Sequence, residues 1–512
     1  MDNFPWLTAM LLVPLVGALV IAAMPSALAH RAKHLALGFA LVTLGLGVGA
    51  ALAFDRNSLE QFQLKEIHSW IPSFGVSYGL GVDGIALSLI LMAAVLTPIC
   101  ILAAWHDVPE GGSREKNYFA LTLVLLTFMV GVFAAIDVFL FYVFFEAMLI
   151  PVYFLIGSYG GPARKYAAMK FLLFSLAGGL VMLVSVIGLY FQGPGGERGF
   201  LVDSLTGLDL DPTTAKWLWV GFFLAFAVKA PMWPLHTWLP DAAAEAKPAT
   251  ATLLVGVLDK VGTYGMIRFC LQLFPGASEW ATPVVVALAV ISILYGALLA
   301  IAQDDLIRLI AYTSISHFGF IVLGIFAMTT VGGAGSALYM INHGFTTAGL
   351  FLVAAMLIAR RGSRKISDFG GWQRVTPAIA GVFLISGLSG LGLPGMGSFL
   401  SEFLVIAGTF QRYRGPAVIA ALGIVLAALY ILWLYKRMMT GPKPELADPV
   451  PDLNWREKLV VAPLIASFLI FGVYPKPLLD VVNPAVTRVL TEVGVTDPAP
   501  AVPAVASVGS EK

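Results

Sequence analysis

Lys229-Ala230-Pro231-Met232-Trp233-Pro234 sets a cation and two prolines inside an apolar run, and its reading decides the fold. The run, Trp217–Pro240, is long enough to cross a bilayer. A second lysine, Lys260, lies in the apolar stretch Ala249–Phe274. An ammonium at membrane depth costs about 2.5–3.5 kcal/mol even on the lenient insertion scale, so a chain keeps one only where it meets a partner or a wet cavity. Intramembrane charge therefore reads as function, and it recurs at Glu146, Lys229, Lys260, His317, His343 and Glu402.

Composition agrees with membrane-spanning helices. Of 512 residues, 59% are hydrophobic and 12% charged, about half the charge of an ordinary soluble domain. Apolar runs of about 20 residues fit helices rather than barrel strands, which makes this an all-α polytopic membrane protein. The net charge of +1 argues against nucleic acid as a partner. Cys100 and Cys270 fall in apolar stretches without metal-like spacing. Trp6–Met24 followed by Ala27-Leu28-Ala29 has the look of a cleaved signal. Asp2 precedes it, however, and Arg31 and Lys33 follow it, the order of a retained first helix with its N-terminus outside.

The apolar runs number about fourteen, centred near Val13, Leu44, Val95, Leu126, Leu149, Gly179, Ala227, Thr263, Leu288, Phe318, Leu350, Pro394, Ile424 and Ser467. The polar connector Asp55–Gly84 alternates at Phe62-Gln63-Leu64-Lys65 and reaches Trp70-Ile71-Pro72, which predicts a small interfacial hairpin. Gly193–Pro212 reads as a loop and Met438–Trp455 as the link before the last span. Beyond Pro475 the tail predicts a short amphipathic helix over Leu478–Val495 and then a disordered end. Basic residues gather in Arg360–Arg374 and Lys436–Lys458, which marks those loops as inside and puts both termini outside.

Two spans are interrupted, one at Lys229–Pro234 and one at Gly390–Gly397. Proline removes a backbone donor and clashes with the preceding turn, and glycines loosen the helix. Each break falls in the fourth of about five spans, one set covering Leu121–Phe274 and the other Ala281–Met439. An odd number of spans flips the second set, the pattern of an inverted repeat around an ion pathway. The expected units are 1–117 (first helices and hairpin), 118–275 (first repeat), 276–440 (inverted repeat) and 441–512 (linker, last span and tail).

Each buried charge has a plain alternative. Glu146, in Phe141–Pro151, wants a cation, and Lys229 is its natural partner; a purely structural ion pair is the bland version. Lys260 follows Asp259, but neighbours on a helix project about 100° apart, so one faces an internal polar axis while the other packs between helices. His317 and His343 lie mid-span among small hydroxyls and glycines. An imidazole with an ordinary pKa of about 6.5 both takes and gives protons. A hydrogen-bonded core histidine is the bland reading, and haem ligation is disfavoured for want of an attachment motif or redox chain. Glu402 comes eight residues after Pro394, beside the second break. His236 and Asp241 read as packing and capping, and Asp83, Asp137, Asp304, Asp305 and Arg308 as inexpensive charges at span ends.

Four stretches carry a resemblance. Lys229–Ala242, Asp305–His317, Asn342-His343-Gly344 and Gly392-Leu393-Pro394-Gly395 resemble the antiporter-like membrane subunits of respiratory complex I, the proton-translocating NADH:quinone oxidoreductase. The resemblance covers nearly the whole chain. Glu402 is the M-like choice where the L-like, N-like and Mrp antiporter subunits usually have lysine. The resemblance implies that Glu146 and Lys229 form a gating pair, Lys260 is the central relay, His317 and His343 the connecting relay, and Glu402 the terminal site. It also implies a bacterial plasma-membrane location and L-like and N-like partners. Flavin and iron–sulfur clusters then belong to other subunits, with no cofactor or metal in this chain. Ile307 departs from the pattern, which has a second basic residue before Arg308. Two alternatives stand beside this reading. One is an Mrp-type cation/proton antiporter subunit, disfavoured by Glu402. The other is a non-conducting scaffold whose ion pairs only specify packing.

Overall fold

Helices form here along the apolar runs, and at several of them a side chain satisfies the first free amides. The computed structural model describes residues 4–445 and 449–499. Its N-terminal part contains α1 (Trp6–Ala23), α2 (Ala32–Ala53), the strands β1 (Gln63–Ile71) and β2 (Val76–Val82), and α3 (Gly84–Ala103). Next come α4 (Ser113–Ala134), α5 (Val138–Ala147), α6 (Leu149–Tyr159), α7 (Arg164–Gln192), the short α8 (Val202–Leu205), α9 (Pro212–Lys229), α10 (Trp238–Glu245), α11 (Pro248–Leu253) and α12 (Lys260–Gly265). The remainder is α13 (Pro275–Ile301), α14 (Leu306–Phe326), α15 (Thr330–Arg361), α16 (Pro377–Gly390), α17 (Gly397–Arg412), α18 (Arg414–Met439), α19 (Trp455–Val473) and α20 (Lys476–Val493).

Caps explain several starts. Asp83 accepts from the Ala86 amide at the head of α3, Asp137 from Leu140 at α5, and Asp305 from Ile307 and Arg308 at α14. Asn454 and Glu457 form a reciprocal capping box at α19. Glu66 on β1 accepts from the Leu7 and Thr8 amides, so the hairpin caps α1. The strands pair antiparallel with Glu66 opposite Leu80 and His68 opposite Tyr78, the hairpin the alternation predicted.

Ten helical segments among the described residues are long and apolar enough to cross a membrane, and α19 with α20, bent by 70°, adds a pair. The bend turns the tail into a separate helix close to the predicted Leu478–Val495, while its final part, 500–512, lies outside the described residues. Three of the fourteen expected spans are not long regular helices. Segments 212–245 and 377–412 are broken, as the prolines and glycines predict. Segment 248–272 is interrupted by π-helical turns at Leu254–Leu258 and Met266–Leu271, which the sequence did not announce.

Burial separates two kinds of helix. About a third of the most apolar 18-residue stretch of α1 and of α2 is covered by the rest of the chain, against 94% of that stretch in α14 and 89% in α15. Their apolar outer faces are what a helix turns to lipid. The residues of α14 and α15, with hydroxyls and histidines among them, form the centre, where the charges also lie.

Two aspartates expected at inexpensive span ends are instead deeply buried. Asp83 is paired with Arg268, whose guanidinium also stacks 4.8 Å from the Phe62 ring. Asp137 is wholly buried and also accepts from the Ser77 amide. The hairpin and the 193–211 loop cover these ends, so each charge needed a specific partner.

Candidate functional site

The two breaks and the π turns put polar backbone at the middle of the molecule. In the first broken span α9 ends at Lys229 and the chain runs irregularly to α10. The freed Val228 carbonyl accepts from the Trp238 indole at 2.9 Å, and the Trp233 amide donates to Ser292 at 2.9 Å. In the second, Gly392 and Gly395 take φ values of +72° and +92°, which favour glycine. Asn342 on α15 holds this break shut by donating to the Gly397 carbonyl at 2.7 Å and the Ser401 hydroxyl at 2.8 Å.

Lys229 is buried and its Nζ has no hydrogen-bond partner. It sits over the rings of Phe145 and Phe171 at 5.1 and 5.6 Å. Cation–π contact contributes about 2 kcal/mol when desolvated, less than the several kcal/mol it costs to bury an ammonium. The balance must come from anions, and the two whose fields reach it are Glu146 and Asp259. Glu146 is half-buried, with Oε1 unpartnered. No ion pair within 4.0 Å joins Glu146 and Lys229 among the described residues, so the expected partners are not in contact. Gly179 makes room for the carboxylate, since a Cβ there would overlap Glu146.

Lys260 is the connected centre. The π turn at Leu254–Leu258 shifts the carbonyl ladder, and Nζ of Lys260 donates to Val255 O at 2.6 Å. It also meets His343 Nδ1 at 2.6 Å and lies 4.9 Å from the Phe318 ring centre. When Lys260 is an ammonium, which has only donors, Nδ1 of His343 accepts and the ring proton sits on Nε2, which faces Thr347 Oγ1 at 3.1 Å. The His343 and His317 rings are 5.2 Å apart, and His317 Nε2 meets the Tyr430 hydroxyl at 3.1 Å. Rings in direct contact leave no space for a porphyrin between them. Among the described residues no group of three or more His, Cys, Asp or Glu is arranged to hold a metal ion.

Glu402 is buried. It accepts from the Tyr339 hydroxyl at 2.5 Å, and its Oε2 is free. That oxygen lies where a Cβ on Gly392 would be, so the glycine that permits the break also admits the carboxylate. Tyr339, His343 and Thr347 follow at four-residue spacing on one face of α15, and Asn342 and Thr346 form a second stripe toward the break.

The structure thus brings together Lys260, His343 and His317, with Glu402 reached through Tyr339. It leaves Glu146 and Lys229 out of contact. Sequence reasoning does not single out Tyr339 and Tyr430 and gives Asn342 a place in a motif but no contact, although the Tyr339–His343–Thr347 spacing is a readable signal. Asp241 is more than a cap, since it bridges Lys170 at 2.7 Å and Arg308 at 2.6 Å. Arg308 therefore has its counter-charge, and Ile307 adds no second cation beside it. His236 packs against Tyr295 at 5.0 Å, as expected of a packing residue. Chemically, the assembly is a line of titratable side chains, hydrogen-bonded around Lys260 and Glu402 and free of hydrogen bonds at Lys229.

Comparison with known proteins follows the same line. A family described as NADH:quinone oxidoreductase/Mrp antiporter, TM, matches residues 135–429. The chain is 49% identical to NADH-quinone oxidoreductase subunit M of Mycobacterium tuberculosis, over 98% of this chain and 97% of that protein. A chain of respiratory complex I from Thermus thermophilus with bound NADH superposes with a TM-score of 0.86 at 30% identity, covering 96% of this chain and 100% of that one. A chain of the Mrp complex from Dietzia sp. DQ12-45-1b superposes with a TM-score of 0.82 at 22% identity, covering 95% and 98%, a likeness of fold.

Proposed function

The chain belongs to the NADH:quinone oxidoreductase/Mrp antiporter membrane family, and from that premise we propose that it is the M-type subunit of a proton-translocating NADH:quinone oxidoreductase. The observation that carries the proposal is the buried polar line with Lys260 at its centre, bonded to His343 and continued by His317 toward Glu402 beside the second break. Full-length likeness to a subunit M supports the M-type choice over an Mrp antiporter.

In this reading the Lys260 ammonium gives its proton to His343 Nδ1, and the His343 Nε2–H, which faces Thr347, is released and passed on to the neighbouring His317 ring. Glu402 is the terminal acceptor, held by Tyr339. Glu146 and Lys229 gate the line: shifting charge between them changes how tightly Lys260 holds its proton. The broken spans, as the fourth members of inverted repeats 118–275 and 276–440, supply entry and exit. Flavin and iron–sulfur chemistry belongs to other subunits, L-like and N-like subunits flank this one, and both termini face the periplasm of a bacterial inner membrane.

Glu402 distinguishes a carrier from a scaffold. Glu402→Gln keeps shape but cannot exchange a proton, so it should impair pumping, while Glu402→Lys restores a titratable group and should retain more activity. A scaffold forecasts the reverse: Gln tolerated, and Lys unassembled because an uncompensated buried charge costs about 3–5 kcal/mol. NADH oxidase rate and proton uptake in membranes, with assembly checked on native gels, read the difference.

A further inference from the structure

Asp259 is the one buried carboxylate among the described residues with neither oxygen hydrogen-bonded. It is fully buried, and it stands next in sequence to Lys260, yet it makes no ion pair with it. Packing shows why. A Cβ on Gly262 would overlap the backbone of Phe226 and Ala230, so α12 touches α9 at the residue after Lys229. Asp259 lies one turn before Gly262 and shares its face, since the Gly262 amide donates back to the Asp259 carbonyl at 3.2 Å. Lys260 is on the other face with Gly256, whose Cβ would meet the Gly344 carbonyl of α15 beside His343. The cations whose fields reach Asp259 are Lys260 and Lys229. Behind Lys229 stands Glu146 on α5, and behind Lys260 stands His343 on α15.

We propose that Asp259 is a proton-carrying residue that joins Lys229 to Lys260 across the junction of α9 and α12. The proposal rests on the proton-axis reading above. Its step balances. The Lys229 ammonium loses an N–H proton to an Asp259 oxygen, leaving a neutral amine and a carboxylic acid. The acid then passes that proton to a neutral Lys260, restoring the carboxylate and forming the second ammonium. One proton moves from Lys229 to Lys260, and water bridges any gap beyond hydrogen-bond reach. A buried carboxylate that only balanced charge would be expected to bond the cation it serves. This one lies on a different helix face from Lys260 with both oxygens free of hydrogen bonds, so it is able to take a proton on the α9 side and pass it through water to Lys260.

The test uses the assembled NADH:quinone oxidoreductase in membrane vesicles. NADH-driven acidification is read with a pH-sensitive dye, quinone-reductase turnover alongside it, and assembly on native gels. Asp259→Asn, nearly isosteric but unable to carry a proton, should assemble and slow pumping about tenfold, below the usual range for a positioned proton-transfer group because water partly bypasses it. Asp259→Glu should restore much of the rate and displace its pH profile, which a packing role would not. Wild-type pumping by assembled Asp259→Asn overturns the proposal. If Asp259→Asn fails to assemble, Asp259→Glu decides: a displaced pH profile supports the carrier, and an unchanged one overturns it. Lys260→Gln in parallel separates the two levels. A normal Lys260→Gln sinks the axis itself, whereas a dead Lys260→Gln beside a normal Asp259→Asn sinks the Asp259 proposal alone.

Discussion

The two broken spans solve the same problem by different means. At the second, the buried carboxylate is anchored: Glu402 accepts from Tyr339, and Asn342 ties the break to α15. At the first, neither charge is anchored: Lys229 rests on two aromatic rings without a hydrogen bond, and Glu146 leaves an oxygen bare. An anchored group has a fixed geometry and hands a proton along a set path. A group held only by opposing fields responds to every change of charge around it. In the proposed reading the first break senses charge and the second conducts.

That contrast ranks the variants. Glu146→Ala removes the main anion facing Lys229 and should abolish most NADH-driven pumping in an assembled complex, read as vesicle acidification. Glu146→Asp should be much milder, because a field needs the charge more than the exact reach. Equal losses in Ala and Asp would show that contact geometry matters there after all, and the contrast would break. At the second break Tyr339→Phe deletes one hydrogen bond to Glu402, worth about 1.5–3 kcal/mol for a charged partner. Pumping should fall, but less than in Glu402→Gln, since the titratable group survives. A Tyr339→Phe defect as deep as that of Glu402→Gln would make the tyrosine hydroxyl itself the carrier.

The smallest effect belongs outside the axis. Asp304, in the loop before α14, is held below the usual carboxylate range by the Ser367 hydroxyl, with Arg437 adding to it. A lowered carboxyl stabilises above its ordinary value of about 3.9 and loses that contribution as the pH falls through its folded value. Asp304→Asn should therefore cost at most about 1 kcal/mol of thermal stability near pH 7, because the pair is largely exposed. The difference should close on acidification, with pumping unchanged. A pumping defect there would extend the sensitive region to the loop.

The sequence made the axis legible because charge is so costly in an apolar run: Lys229, Lys260 and Glu402 stood out as single letters. Both breaks were legible from Pro231, Pro234, Pro394 and the glycines around them. Contact was not. Sequence spacing says that Asp259 and Lys260 diverge, but only the Gly262–Ala230 approach says which helix each faces. The π turns beside Lys260 have no compositional mark, because they depend on neighbours packing against a slightly over-long stretch. Taken singly, Tyr339 and Tyr430 carry no mark in the sequence, since an aromatic residue in a span reads equally as packing. Asp83 and Asp137 read as end charges in the sequence because the lid made by the hairpin and loop is a tertiary fact.

Lys260 tests the central claim most directly, since both halves meet there. The measurement is vesicle acidification per NADH oxidised in an assembled Lys260→Gln complex, with NADH oxidation by an artificial acceptor as the control for the redox subunits. The account predicts that acidification collapses while the artificial-acceptor rate stays at the wild-type level. Wild-type acidification per NADH in that complex would contradict it, and the buried line would then be packing.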